Sequence, residues 1–118
     1  MIKESISLNM SSTNFSWDYS EKSDILNIRT KDKKTEGSAE LGDFTIDFDK
    51  NKQVIGIEIA NASDFFSQAD ISKDQLKELK SAELVINKKG RDYTFIWVKT
   101  TFSHGIELKL PIPTPIAA

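Results

Sequence analysis

Apolar and polar residues alternate with period two along most of the chain. Phe15, Trp17 and Tyr19 share one parity, with Ser16 and Asp18 between them, the pattern of a half-buried strand. Four polar residues, 20–23, separate this segment from Ile25, Leu26 and Ile28, so the pair reads as a hairpin. Phe44, Ile46 and Phe48 alternate with Asp43, Thr45, Asp47 and Asp49, and Ile55, Ile57 and Ile59 alternate with Val54, Gly56 and Glu58. A second hairpin is predicted there, each strand with one apolar and one wet face. Gly56 in mid-strand marks a bulge or a close backbone approach. Residues 31–40 are polar and irregular and read as an exposed loop or a long solvated turn. Ile6, Leu8 and Met10 also alternate, which allows an extra strand over residues 2–10.

The period changes only once. Ser72 followed by Gln75 makes a capping box, Ile71 and Leu76 stand at the positions of a hydrophobic staple, and Leu76 and Leu79 form a narrow stripe. One short helix over about residues 73–80 is predicted, with a further helical turn at residues 61–68 anchored by Phe65 and Phe66. Period two then returns. Residues 83–89 and 92–100 flank Gly90 and Arg91 and predict a hairpin. Tyr93, Phe95 and Trp97 share a parity while Ile96 and Val98 fill the other, so this strand is expected to be central and buried on both faces. Phe102, His104, Ile106, Leu108 and Leu110 alternate with polar residues and predict a last strand. The proline-rich tail beyond it is expected to stop the ladder, because proline lacks the donor.

Composition narrows the chemistry. The 118 residues are the size of one domain and contain no cysteine and a single histidine. A disulfide scaffold, a thiol nucleophile, a cysteine-based metal site and an all-histidine site are excluded within one chain. The formal charge of −2 gives no global field for nucleic acid or an anionic membrane. No apolar run approaches the ~20 residues of a membrane span. Residues 1–10 lack the basic head and long apolar segment of a signal peptide, so a cytoplasmic location is expected.

Counted from Asp47, the residues read D-x-D-x-N with Glu58 at the twelfth position, most of a calcium-loop pattern. The sixth position is Lys52 rather than glycine, and both flanks alternate as strands do, so the stretch is read as a hairpin turn. Asp47, Asp49 and Glu58 are retained as weak candidates for a metal or for acid–base work. His104 is a candidate general base, but its parity places it on the apolar face. Lysines at 31, 33, 34, 88, 89 and 99, with Arg91, lie among aromatic strands, a composition compatible with a single-stranded nucleic-acid platform. Tyr93, Phe95 and Trp97 are, however, the best core-formers in the chain.

Residues 19–28 and 47–63 resemble an uncharacterised prokaryotic family of small domains, domain-of-unknown-function family 2283. That family carries a Tyr-Asp-x-x-x-Asp-x-Leu-Tyr-Ile segment and then an Asp-Tyr-Asp-x-x-Gly-x-Val-Val-Gly-Ile-Glu-Ile-x-x-Ala-Ser segment. Tyr19, Asp24, Leu26 and Ile28 match the first; Asp47, Asp49, Val54, Gly56, Ile57, Glu58, Ile59, Ala62 and Ser63 match the second. Ser20, Asn27 and Lys52 depart from it. The resemblance covers about residues 19–66 and implies paired hairpins in a prokaryotic cytoplasm, with a hint of an antitoxin-like role and no assigned activity.

The expected fold is therefore α+β, mainly β: antiparallel hairpins and a C-terminal three-stranded meander with one short capped helix, in a single domain over residues 1–118. Within it, residues 19–66 form the family-like hairpins and residues 72–110 the helix and three strands. The expected function is a non-enzymatic interaction module that self-associates as a homodimer through its sheet, with a further protein partner allowed. No cofactor, no membrane and no nucleic acid are expected. The rivals are a ligand-binding or catalytic domain using the Asp47/Asp49/Glu58 face or His104, and a single-stranded nucleic-acid binder or antitoxin-like protein.

Overall fold

Antiparallel pairing gathers the alternating apolar side chains of each segment onto a common face. The structure, a computed structural model, describes residues 14–90, 93–112 and 116–117; the strand expected over residues 2–10 lies outside them. The first sheet holds β1 (Phe15–Ser20), β2 (Ile25–Thr30), β3 (Gly37–Leu41), β4 (Phe44–Phe48) and β5 (Val54–Ile59), in the order β1-β2-β5-β4-β3. Both expected hairpins, β1–β2 and β4–β5, are present, and β2 pairs with β5 to join them. β5 is central, and its isoleucines at 55, 57 and 59 are all buried.

One segment differs. Residues 37–41, expected to be part of a loop, are the edge strand β3, with Ala39 opposite Ile46 and Leu41 opposite Phe44. Only two apolar residues, Ala39 and Leu41, mark it, and the ladder to β4 holds it instead. Gly42 opens the two-residue turn into β4 with φ of +57°, a left-handed value that glycine adopts without a steric penalty.

Two short helices follow, α1 (Ala62–Ser67) and α2 (Lys73–Leu76). The capping box at α2 forms: Ser72 Oγ accepts from the Gln75 N–H at 3.2 Å, and Gln75 Oε1 accepts from the Ser72 N–H at 2.8 Å. The helix stops at Leu76 rather than near residue 80, because the ladder captures the chain. Glu78 O accepts from the Ser103 N–H, and Leu79 pairs with Phe102.

The second sheet runs β6 (Leu79–Lys89), β7 (Tyr93–Phe102) and β8 (Glu107–Pro111), with β9 (Ile116–Ala117) pairing with β7 as well. The antiparallel meander is as expected and β7 is central, but β7 buries only one face. Thr94, Ile96, Val98, Thr100 and Phe102 face inward, while Phe95 and Trp97 are half-buried on the outer face and Lys99 is exposed. The partner strand decides this. Glu83, Asn87 and Lys89 pair with Lys99, Phe95 and Tyr93, so burying the aromatic parity would drag charges inward. Phe102 ends β7 instead of opening the last strand. Residues 103–105 turn, with Gly105 at φ of +89°, and His104 and Ile106 are exposed. The tail also departs from expectation. Pro111 lies opposite Trp97 at the end of β8, where its missing donor faces no strand among the described residues; the Ile112 N–H donates to Ile96 O, and Ile116 pairs with Thr94.

Both sheets and both helices contribute to one core. An edge-to-face series of rings links them. Phe44 of the first sheet meets Phe65, Phe65 meets Phe66, and Phe66 meets Phe102 of the second sheet, at 5.3, 5.2 and 6.4 Å between ring centres. Each such contact contributes about 0.5–1.5 kcal/mol beyond burial.

Thr100 is fully buried, and its Oγ1 has no hydrogen-bond partner among the described residues. An unpaired buried hydroxyl costs about 1–3 kcal/mol, and valine fills the same shape without it. Thr100→Val should therefore raise the urea midpoint, by a stability gain of about 1 kcal/mol. An unchanged or lowered midpoint would show that the hydroxyl is satisfied in solution.

Candidate functional site

The outer face of the first sheet carries the acidic candidates. Asp47 lies in β4, Glu58 in β5 and Asp49 in the turn between them. Both flanks of the turn are paired strands, so the twelve-residue spacing frames a hairpin rather than a loop between helices. Asp49 Oδ1 accepts the backbone N–H groups of Asn51 at 2.8 Å and Gln53 at 2.9 Å, which closes the reversal. Lys52 takes φ of +62°, the left-handed position that the family pattern gives to glycine. Glu58 stands opposite Asn27 and Thr45. Among the described residues, no three His, Asp or Glu side chains gather closely enough to hold a metal ion.

Asp47 belongs to a rung that crosses the whole sheet. Ser16, Arg29, Gly56, Asp47 and Ser38 are successive cross-strand partners on five strands. Gly56 holds the middle position. A Cβ there would lie 3.1 Å from Arg29 Cβ and 3.3 Å from Ile28 O, tighter than ordinary contact. Its absence lets the Arg29 side chain pass over β5 to Asp47 Oδ2 at 3.5 Å. The same guanidinium donates to Thr35 Oγ1 at 3.0 Å and Lys33 O at 3.3 Å, tying the β2–β3 connection to the sheet. Ser38 Oγ donates to Asp47 Oδ1 at 2.6 Å. The close approach expected at Gly56 is thus between named groups, and the register shift between Asp47 and Phe48 falls beside it. The Arg29–Asp47 pair is long and partly exposed and contributes under about 1 kcal/mol; its effect is positional.

A second cluster was not identified as a cluster by sequence reasoning. Asp24 ends the turn of the first hairpin with φ of +59°. Its Oδ1 accepts from Tyr19 Oη at 2.7 Å, its Oδ2 from Ser63 Oγ at 2.7 Å, and its carboxylate from the Ser63 N–H at 3.1 Å. Asp24 O also accepts the Ala62 N–H at 3.0 Å. Asn61, the residue in the cap position of α1, makes no capping bond of its own. Its side chain instead donates to Asp43 Oδ1 at 3.2 Å. Asp24 therefore caps α1 from another hairpin. Burial pushes the Tyr19 hydroxyl upward, and its hydrogen bond to Asp24 and the negative charge there push the same way. Burial alone would raise the Asp24 carboxyl, but the hydrogen bonds from Ser63 and Tyr19, with Lys73 nearby, outweigh it and hold the group below the usual carboxylate range. The signal for this clamp was the appearance of Tyr19, Asp24 and Ser63 among the family-like positions.

The remaining candidates lie apart. His104 sits in the exposed β7–β8 turn with its ring 5.7 Å from that of Phe102, not on the apolar face its parity implied. An open cleft of about 630 Å³ lies between the β4–β5 turn and the far end of β6, lined by Glu36, Asp49, Lys50, Lys52, Lys88 and Thr94 among others. It takes in Asp49 and leaves out Asp47, Glu58 and His104. On the outer face of the second sheet, Trp97 has Val85 and Pro111 as cross-strand neighbours, and Lys109 Nζ stands 5.1 Å from its ring centre.

Asp24→Asn removes the charged acceptor and should cost about 1–2 kcal/mol at pH 7 in urea unfolding. The carboxyl titrates lower in the folded chain than in the unfolded one. Its contribution is then present above the unfolded value of about 3.9 and is lost as pH falls through the folded value. The wild-type curve should drop toward that of the variant below about pH 4. A gap that stays constant down to acid pH would show that the charge is not what holds α1.

Residues 17–63 match the family described as "Protein of unknown function (DUF2283)". The chain is also similar to an uncharacterized protein of Methanocaldococcus jannaschii, at 39% identity over 62 residues, covering 51% of this chain and 53% of that protein. The matched part thus spans about half the length of that curated relative. No solved structure matches the chain significantly. The family match opens in β1 and ends at the residue held by Asp24, so it takes in the rung and the clamp. The similarity to this family of unknown function runs from β1 to the second residue of α1, over residues 17–63.

Proposed function

We propose that the chain is a small non-enzymatic interaction module of the prokaryotic cytoplasm that self-associates as a homodimer through its sheet. The observation that carries the reading is the free edge of the first sheet. Among the described residues β3 has one neighbour, β4, so its other side offers unpaired backbone donors and acceptors to a second strand. The reading is also supported by the acidic side chains. Asp24, Asp47 and Asp49 direct their oxygens to hydrogen bonds within the fold. Among the described residues no helix is long and apolar enough to cross a membrane. Sedimentation velocity should give a weight-average mass approaching twice 13.3 kDa as the concentration rises. For a weak edge contact that rise should fall in the range of about 10–300 µM. A mass that stays at the single-chain value across that range would overturn the reading.

Single-stranded nucleic-acid binding is a second reading, favoured by one observation. Trp97 lies half-exposed on the outer face of the second sheet with Lys109 over its ring, and Phe95 and Lys99 share that face. Glu83, 3.8 Å from Lys99, and the net charge of −2 weigh against it. A pyrimidine oligonucleotide at low salt should quench tryptophan fluorescence in the wild type and not in Trp97→Ala, because stacking contributes about 1–3 kcal/mol per base. Equal behaviour of the two proteins would remove this reading.

A further inference from the structure

The geometry points to a specific seam: two copies of the chain pair antiparallel along β3, about a two-fold axis through Ala39, so that the two five-stranded sheets become one continuous sheet. This deepens the self-association reading and rests on it.

The register follows from the turn. Gly42 and Asp43 form a two-residue loop between Leu41 and Phe44, and such a loop is closed by a hydrogen-bonded pair. Alternation then makes Ala39–Ile46 a hydrogen-bonded pair as well. Ser38 and Glu40 therefore turn their backbone N–H and C=O groups away from β4, toward the open side. A partner strand bonds to β3 only through these two residues and those in phase with them.

Charge selects among the registers that meet this condition. With the axis through Ala39, Ser38 faces the partner's Glu40 and Glu40 faces the partner's Ser38, giving four backbone hydrogen bonds and no directly opposed charges. A shift of two residues one way sets Glu40 against the partner's Glu40. A shift the other way sets Glu36 against the partner's Glu40. Like charges directly opposite are unfavourable in a ladder. Shifts by a single residue oppose outward groups to inward ones and form no ladder.

The apolar side fits the same register. Leu41 is 37% exposed, unusually open for a large apolar side chain here, and the axis through Ala39 places it opposite the partner's Gly37. Among the described residues, nothing lies within 4 Å of a Cβ added at Gly37, so the space above that glycine can receive a leucine. The small, half-buried Ala39 lies on the axis against its own copy, which lets the backbones approach. The partner is thus a second copy of this chain, and each copy supplies both the leucine and the vacant position that takes it.

The chain has no cysteine, so Ala39→Cys introduces a single thiol. The two copies of residue 39 would form a non-hydrogen-bonded pair with Cα atoms roughly 4.5 Å apart, within disulfide range. Mild oxidation at dimer-forming concentration should convert most of this variant to a covalent dimer. Glu40→Pro removes an outward donor that β4 does not use and should weaken the dimer at least tenfold by sedimentation. Glu40→Gln keeps the donor, removes the charge and should leave the dimer as tight or tighter. A wild-type dimer that persists in Glu40→Pro, with no crosslink in Ala39→Cys, would overturn this seam and leave self-association standing. A wild-type chain that remains single at every concentration would overturn both.

Discussion

Helix α1 starts without a capping side chain of its own, and the arrangement of the whole molecule depends on Asp24 providing one. The turn of the first hairpin brings this carboxylate to the Ser63 N–H and hydroxyl across 39 positions of sequence, while Tyr19 holds its other oxygen. Fixing the start of α1 fixes the direction of Phe65 and Phe66. Those two rings are the middle members of the aromatic series between the sheets. No ladder joins the two sheets among the described residues. Their relative placement rests on side-chain packing, with β1 lying alongside β6 and α1 oriented by a charged cap.

Much of the fold was legible because strand alternation and capping are local signals. Both N-terminal hairpins, the helical turn at Phe65 and Phe66, the capping box at Ser72 and the C-terminal meander follow from short windows of residues. What escaped was decided by partners. β3 carries only Ala39 and Leu41 as apolar markers, and the ladder to β4 makes it a strand. Phe95 and Trp97 of β7 looked like core residues, but the polar residues of β6 share their face and take them outward. His104 looked inward because alternation continues, unbroken in parity, through a turn that reverses the chain. The positions of Asp47, Asp49 and Glu58 on a hairpin were readable. The clamp was not, since nothing local couples residue 24 to residue 63.

The two outer faces differ in kind. The first is a hydrogen-bonded mesh in which Arg29, Asp47 and Ser38 answer one another across Gly56. The second is a mixed surface of Val85, Phe95, Trp97 and Pro111 bordered by Lys99 and Lys109. A mesh of satisfied polar groups gives another molecule little to bind, whereas strand edges and half-exposed rings retain unused capacity. The capacity for contact is therefore at the margins of the first sheet and on the flat of the second.

Ser63, where the family match ends, is also where the polar fastening of α1 to the first sheet ends. Beyond it, Phe65 and Phe66 meet their surroundings through apolar packing, which tolerates varied sequence provided volume is kept. The first sheet with its fastened helix start is consequently a fixed socket, strict about a handful of residues on its own side and permissive about what is plugged in after them. An attached half of different sequence but equal apolar volume would leave the polar contacts of the socket in place.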